Sequence, residues 1–358
     1  MSTSSPLGRA QEFCRNFHLD IPILMAPMAG ACPVELAAAV ANAGGMGACG
    51  TLLMKPGEIG IWSNNFRSAS NGIFQLNLWI PDPVPARDAD NEIAVRNFLR
   101  QWGPEVPAGA GDVAGPDFEA QCDSMLAAGP AVISSIMGVY PEPFVAAMKS
   151  RGVSWFATVT TVAEARAVEQ AGADVIVAQG MEAGGHRGAF LADEAERTMV
   201  GLFSLVPAVV DAVSVPVVAT GGIADARGVA AAILLGASAV QIGTGLLRSP
   251  EAGIAPAWAD ALGRADPEGT LVTRAFSGRA GRSVATAYVR ASNTSDTPSP
   301  APYPVQRGLT APMRAEATKQ GDINRIQAWA GQSSGLAEAR PAGEIVRSIW
   351  KDARMMLG

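Results

Sequence analysis

The chain has 358 residues, of which 48% are hydrophobic and 17% charged, and a formal net charge of -6. It can bury a large core, as one barrel or two domains, while its acidic balance without a Lys/Arg cluster excludes a nucleic-acid scaffold, which needs a basic face against phosphate. No apolar run reaches bilayer length, MSTSSPLGRA lacks a signal peptide's apolar segment, and Cys14, Cys32, Cys49 and Cys122 show no C-x-x-C spacing. We therefore expect a cytoplasmic monomer or homodimer with reduced thiols, no metal and no membrane or nucleic-acid partner.

In chain order, a polar tail should lead to a first strand at 22–26 (PILMA), ending at Pro27, Met28, Ala29 and Gly30. PVELAAAVANAGG then reads as a helix, with proline at its start and glycine at its stop. MGACGTL and IFQLNLW are the second and third strands. Between Pro81 and Pro116 the chain is too rich in Pro, Gly and Asp for a core element and reads as an excursion over one end of the fold, although EIAVRNFLRQW within it has helical spacing.

The alternation then resumes. AVISSIM and SWFATV are the fourth and fifth strands, separated by the helix EPFVAAMKSRG, and TVAEARAVEQAG delivers the sixth strand at Asp174. VPVVATGGI and AVQIGTG follow as the seventh and eighth, each an apolar, β-branched run of the kind that is buried on both faces of a parallel sheet. Eight strand-helix units predict an α/β fold closed into a (β/α)8 TIM barrel, rather than an open doubly wound sheet, whose glycine fingerprint would follow the first strand. Past Leu246 the rhythm breaks. Residues 247–335 read as a smaller, mostly helical substrate or lid domain inserted before the last barrel helix, EIVRSIWKDARMML, so that the barrel comprises 1–246 and 336–358.

Barrels hold phosphate at the loops after their last two strands, and here these carry Gly221-Gly222 and Gly243-Thr244-Gly245. Tight packing of strand into helix is the plain alternative for either site alone; two at adjacent strand ends favour a phosphate cradle. A phosphate there would set an attached ring over the barrel mouth, where Ala26, Pro27, Met28, Asn77, Thr158 and Gln179 end their strands. An isoalloxazine needs such backbone donors, side-chain amides and apolar support. Asn77 and Gln179 equally suit caps on neighbouring backbone. His186, between glycines in the loop after the sixth strand, is the candidate acid, base or anion donor. Arg187 beside it either holds an anion or faces solvent, and His18 reads as an exposed or capping residue.

AQGMEAGGHRG, together with ILMAPMAG, FQLNLW, VPVVATGGIAD, AVQIGTG and PYPVQRGLT, resembles the nitronate monooxygenase family from about Pro22 to the carboxyl end. The resemblance implies an FMN-containing barrel that oxidises alkyl nitronates with O2 to carbonyl compounds and nitrite. By motif, His186 becomes the active-site histidine, and Met28, Asn77, Gln179, Gly184, Gly185, Gly222, Gly243 and Thr244 become flavin contacts. Because a nitronate is already deprotonated, His186 would orient and neutralise it, acting as base only toward neutral nitroalkanes. Arg187, Tyr303 and Arg307 are candidates for the substrate cleft. Two rival readings stand: an FMN-dependent NAD(P)H oxidoreductase, such as an enoyl-acyl-carrier-protein reductase or quinone reductase, and a flavin- or phosphate-binding protein without catalysis.

Overall fold

A computed structural model describes residues 5–358. Its strands, in chain order, are β1 (Ile23–Met25), β2 (Met46–Gly50), β3 (Ile73–Trp79), β4 (Val132–Ile136), β5 (Ser154–Val159), β6 (Val175–Gln179), β7 (Gly185–His186), β8 (Val217–Thr220), β9 (Ala239–Ile242), β10 (Thr270–Thr273) and β11 (Gly281–Val284). Eight of them form a closed parallel barrel in the order β1-β2-β3-β4-β5-β6-β8-β9. Closure is made by β1 on β9, with Leu24 opposite Gln241 and Met25 opposite Ile242. This is the (β/α)8 architecture that the alternating pattern predicts. Apolar strands such as Val175–Gln179 are buried throughout because barrel interior and helix ring cover their two faces.

Local signals fix the surrounding helices. Thr161 and Glu164 form a reciprocal capping box at the start of Val162–Gln170, and Asp225 caps Ala226–Leu234 by accepting from the Gly228 N–H. The last helix, Ala342–Leu357, packs between Val34–Asn42 and Ala226–Leu234 and completes the ring after the chain has left the barrel for a hundred residues, from β9 to residue 342. No helix among the described residues is long and apolar enough to cross a membrane.

The amino end differs from the polar tail expected of it. Residues 1–4 lie outside the described residues, but Pro6–Asn16 is a helix, with Ser5 as its side-chain cap. Its Phe13 sits in the barrel's inner cluster with Leu24, Met46, Phe156, Val177 and Val218. Phe17 meets the Phe156 ring edge-on at 5.0 Å, so this helix plugs one end of the barrel. The apolar signal was thin, one phenylalanine per turn in a polar segment.

The region 247–335, here the second domain, carries four α-helices, Pro256–Arg264, Ala287–Ser292, Val305–Leu309 and Ala311–Gln320, and a feature the sequence did not announce. It contains an antiparallel sheet in the order β10-β11-β7, whose third strand is the two-residue segment Gly185–His186 borrowed from the loop after β6. The excursion belongs to it as well. Val95, Leu99 and Val106 share a core with Phe276, Tyr288, Val305 and Leu309, and Trp102 meets the Tyr288 ring edge-on at 5.4 Å. A short 3-10 turn at Ala108–Gly111 lies so close to the helix Val305–Leu309 that a Cβ on Gly308 would sit 2.0 Å from the Ala110 carbonyl oxygen. Arg279 and Asp82 form a two-point ion pair (Nε to Oδ2 2.9 Å, Nη2 to Oδ1 3.0 Å) that ties the excursion's first residues to β11's approach.

Candidate active site

One cleft opens at the carboxyl ends of the barrel strands, with a cavity volume of about 220 Å³. Its floor is polar because every second strand residue points inward: Asn77, Thr158, Gln179, Thr220 and Gln241 all line it. Beneath them the Gln75 side-chain amide donates to the Met25 carbonyl (3.2 Å) and to Gln241 Oε1 (3.1 Å). Ala26, Pro27 and Met28 supply an apolar stretch of the wall. Gly243 sits directly against it, where a Cβ would lie only 3.2 Å from Ala26 and 3.4 Å from Met28, and Gly221, Gly222 and Thr244 continue the rim.

Those glycine turns suit an anion. Gly221 and Gly222 take φ of 114° and 66°, conformations in which a side chain would be strained. The backbone N–H groups of Gly221, Gly222, Gly243 and Thr244 find no backbone acceptor among the described residues, yet all four residues line the cleft. Half-buried N–H groups that face a cleft without a protein acceptor can close on an anion, so this rim fits a phosphate and leaves no arginine needed there. The loop at residues 330–333 crosses the same rim: the Gly331 N–H donates to Thr244 Oγ1 (3.1 Å) and Ser333 Oγ donates to the Gly222 carbonyl (2.6 Å). A Cβ on Gly184 would lie 2.5 Å from the Gly331 nitrogen, so only glycine lets this loop pass.

His186 faces the cleft from β7. Its ring is met edge-on by Trp79 at 4.7 Å and by Trp329 at 4.8 Å, and its Nε2 lies 2.7 Å from Ser277 Oγ. Burial, then the nearby Arg279 and Arg307 guanidinium groups, push its pKa down from 6.5 to about 3. The imidazole is therefore neutral at pH 7, and it can donate or accept but brings no charge to an anion. Arg307 is the one charged side chain on the cleft wall, which carries neither Asp, Glu nor Lys among the described residues. Tyr303 lines the wall beside it, 5.4 Å from the Trp79 ring, and burial raises its phenol above the ordinary value.

Arg187 is not brought to this cleft. Its Nη1 donates to the Gln179 carbonyl (2.6 Å), and its Nη2 to the carbonyls of Thr160 (3.3 Å) and Thr198 (3.2 Å). Burial lowers it to about 10, which still leaves it charged. The small cavity beside it, about 10 Å³, has room for little more than one water, so the substrate role expected of Arg187 has no space. Its work is to clamp the loop that carries His186. Gln179 is similarly occupied, since its Oε1 accepts from the Gly188 N–H (2.8 Å) and its Nε2 donates to the His186 carbonyl (3.1 Å). Asn77 donates to Ser134 Oγ (3.0 Å) and also lines the cleft. His18 is exposed.

Several lining residues escaped the sequence reading: Trp79, Trp258, Gln327, Trp329, Gly331 and Ser333, with Ser277 behind His186. Most lie in the second domain, where no strand rhythm tells which side chain points inward. Only the INRIQAWAG segment, an apolar stretch ending on glycine after an irregular region, carried a trace of them.

A closed parallel barrel with a cleft over its strand ends, rimmed by glycine turns and walled by aromatic rings and a histidine, has the layout of a barrel enzyme. Comparison with known proteins makes this specific. The family model for nitronate monooxygenase matches residues 11–352, so the chain belongs to the nitronate monooxygenase family and is an oxidoreductase acting on nitronates. It is 35% identical over 334 residues to a probable nitronate monooxygenase of Staphylococcus aureus (strain Newman), covering 92% of this chain and 94% of that one. Among solved structures it is similar to a nitroalkane oxidase from Streptomyces ansochromogenes, at 34% identity and a TM-score of 0.85, with 95% of this chain and 98% of that one covered. FabK from Thermotoga maritima is also similar, at 29% identity and a TM-score of 0.72 over 97% and 96% of the two chains.

Proposed function

We propose that the protein uses FMN to oxidise alkyl nitronates with O2, giving carbonyl compounds and nitrite. The observation that carries this reading is that one cleft joins three things: a rim of acceptor-free backbone donors at Gly221, Gly222, Gly243 and Thr244, a neutral imidazole at His186, and a single arginine without an acidic partner at Arg307. The donor rim holds the phosphate, and Ala26, Pro27 and Met28 support the ring, with Asn77, Thr158, Gln179, Gly184 and Gly185 around it. FMN, when bound, supplies the electron acceptor and passes electrons to O2.

The chain's own residues bind and orient the substrate. A nitronate is a planar anion, and a hydrogen bond from a charged donor contributes about 1.5–3 kcal/mol against about 1 kcal/mol from a neutral one. Arg307 therefore holds the nitronate oxygens, with Tyr303 as the neighbouring donor. His186 is steadied by Ser277 Oγ and between two tryptophan edges, so its ring reaches the cleft in one orientation. Toward a neutral nitroalkane this unprotonated ring takes the α-proton onto a ring nitrogen as the nitronate charge forms beside it and offsets the two arginines that add to burial in depressing its basicity; toward a nitronate it only donates or accepts a hydrogen bond. Trp79, Trp258 and Trp329 keep water from the reacting carbon. A cytoplasmic setting, with a small nitronate or nitroalkane and O2 as the partners, belongs to the same reading.

The similarity to FabK keeps a second reading in view, an FMN-dependent oxidoreductase reduced by NAD(P)H. Against it, a dinucleotide brings further phosphates, and Arg307 is the one arginine on the cleft wall. Mixing the yellow protein anaerobically with propane-2-nitronate, and separately with NADH and NADPH, decides between them. Loss of visible absorbance with the nitronate and none with either nicotinamide is expected; bleaching by a nicotinamide alone overturns the proposal.

A further inference from the structure

Two thiols lie together beside the cleft with no part in the mechanism above. Cys32, in the loop after β1, and Cys49, in β2, bring their sulfurs within 3.9 Å of one another although 17 residues separate them in sequence. Both are free, with Cys32 8% and Cys49 1% exposed. Their neighbours in the chain, Ala31 and Gly50, line the cleft wall. The Gly50 N–H donates to Cys32 Sγ (3.2 Å), and Cys49 Sγ lies 3.6 Å from the Met54 thioether. The other two cysteines share no such contact with a second thiol among the described residues.

From this geometry we infer that Cys32 and Cys49 are an oxidisable pair, closed by hydrogen peroxide into a disulfide that ties the loop after β1 to the end of β2 beside the cofactor cleft. The sulfurs need to approach by roughly 2 Å to reach bonding distance, a movement within reach of side-chain rotation and a small loop shift. Cys32 is the attacking sulfur. The Gly50 N–H points at Cys32 Sγ at 3.2 Å, whereas Cys49 Sγ has Cys32 Sγ and the Met54 thioether as its neighbours, so the thiolate is better supported at Cys32 against the cost of burial. By contrast, burial holds Cys14 and Cys122 up at about 12, where almost no thiolate exists near neutral pH.

The step balances. The Cys32 thiolate attacks one peroxide oxygen, the O–O bond breaks, and the departing hydroxide takes up the thiol proton as water, leaving a sulfenic acid. Cys49 then attacks that sulfur; the S–O bond breaks, and the second hydroxide leaves with the Cys49 proton as a second water. Both thiols are oxidised by one electron each, and the peroxide is reduced.

The test reads the modification itself, so it stands apart from whether FMN or a nitronate is bound. The folded full-length protein is exposed to a small excess of hydrogen peroxide, alkylated at once, digested without reductant and analysed by peptide mass. The expected product is a peptide pair linked through Cys32 and Cys49, two hydrogens lighter than the separate peptides and split by dithiothreitol, while Cys14 and Cys122 remain alkylatable. A Cys49→Ser variant should leave Cys32 as a sulfenic acid captured by dimedone, and a Cys32→Ser variant should leave Cys49 reduced. The inference is overturned if all four thiols oxidise at the same rate, if Cys32 and Cys49 stay fully alkylatable, or if Cys32 passes to sulfinic acid in the wild-type chain without a cross-link.

Discussion

At the scale of single residues, the site divides its labour between a base without charge and a charge without basicity. In the proposed mechanism His186 abstracts protons or hydrogen-bonds, and Arg307 holds the anion. Replacing His186 with alanine should lower turnover of a neutral nitroalkane by about 100-fold or more, the usual contribution of a general base, while the same variant keeps most of its rate on the corresponding nitronate. Arg307→Ala should do the reverse, raising KM for the nitronate by about tenfold to a hundredfold with a smaller change in kcat. Steady-state rates on the two forms of one substrate check both; equal losses on both forms in either variant would refute the division.

His186 also carries a pH signature. Its folded pKa of about 3 lies below the ordinary 6.5, so the fold favours the neutral ring, with Arg279 and Arg307 facing it and Ser277, Trp79 and Trp329 around it. That contribution is fully present above about pH 6.5 and is lost as the pH falls toward 3. Urea unfolding at pH 7 and pH 4.5 should therefore show a larger acid loss in the wild type than in His186→Gln. A loss of the same size in both would show that the ring titrates normally.

At the scale of elements, the loop after β6 is built by two domains at once. β7 pairs with β11, Gly281 opposite His186 and Arg282 opposite Gly185, and the Arg187 N–H continues the pairing to the Ala280 carbonyl at 2.9 Å. The His186 ring thus hangs from the second domain's sheet, while Gln179 and Arg187 fasten its loop to the barrel. None of this was visible in EAGGHR, because a two-residue strand has no alternation to show and its partner lies nearly a hundred residues away. The barrel strands, by contrast, announced themselves through unbroken β-branched runs and the glycines that end them.

The excursion is the other element whose place came from tertiary packing. Its composition marked it correctly as no barrel element, but nothing in it said that Val95, Leu99 and Trp102 complete the core around Tyr288. The contact of Gly308 on Ala110 offers a test, since a methyl there has no room. Gly308→Ala should cost about 1–3 kcal/mol of stability by overpacking and open residues 89–113 to proteolysis before the barrel unfolds. Unchanged urea midpoint and cleavage pattern would mean that the excursion is not seated where the structure places it.

At the scale of the whole molecule, a barrel supplies a rigid ring of strand ends and the inserted domain supplies the wall above it. The half of the site that rests on the barrel was legible, because strand ends are where the chain's pattern stops: Ala26 to Met28, Asn77, Thr158, Gln179 and the two glycine turns all line one cleft. The half supplied by the second domain was not, apart from Tyr303 and Arg307, since aromatic residues in irregular segments look alike whether they face a core or a cavity. Both halves meet at the glycine rim, where the loop at residues 330–333 rests on Gly222 and Thr244.

That rim is where the cofactor assignment is most exposed to measurement. Protein stripped of its chromophore, titrated by fluorescence with FMN and with riboflavin, compares the same ring with and without the phosphate. A phosphate held by the amides of Gly221, Gly222, Gly243 and Thr244 predicts FMN binding at least about 100-fold tighter than riboflavin, as two or more charge-assisted hydrogen bonds would give. Equal affinity for the two, or binding of neither, would contradict the account.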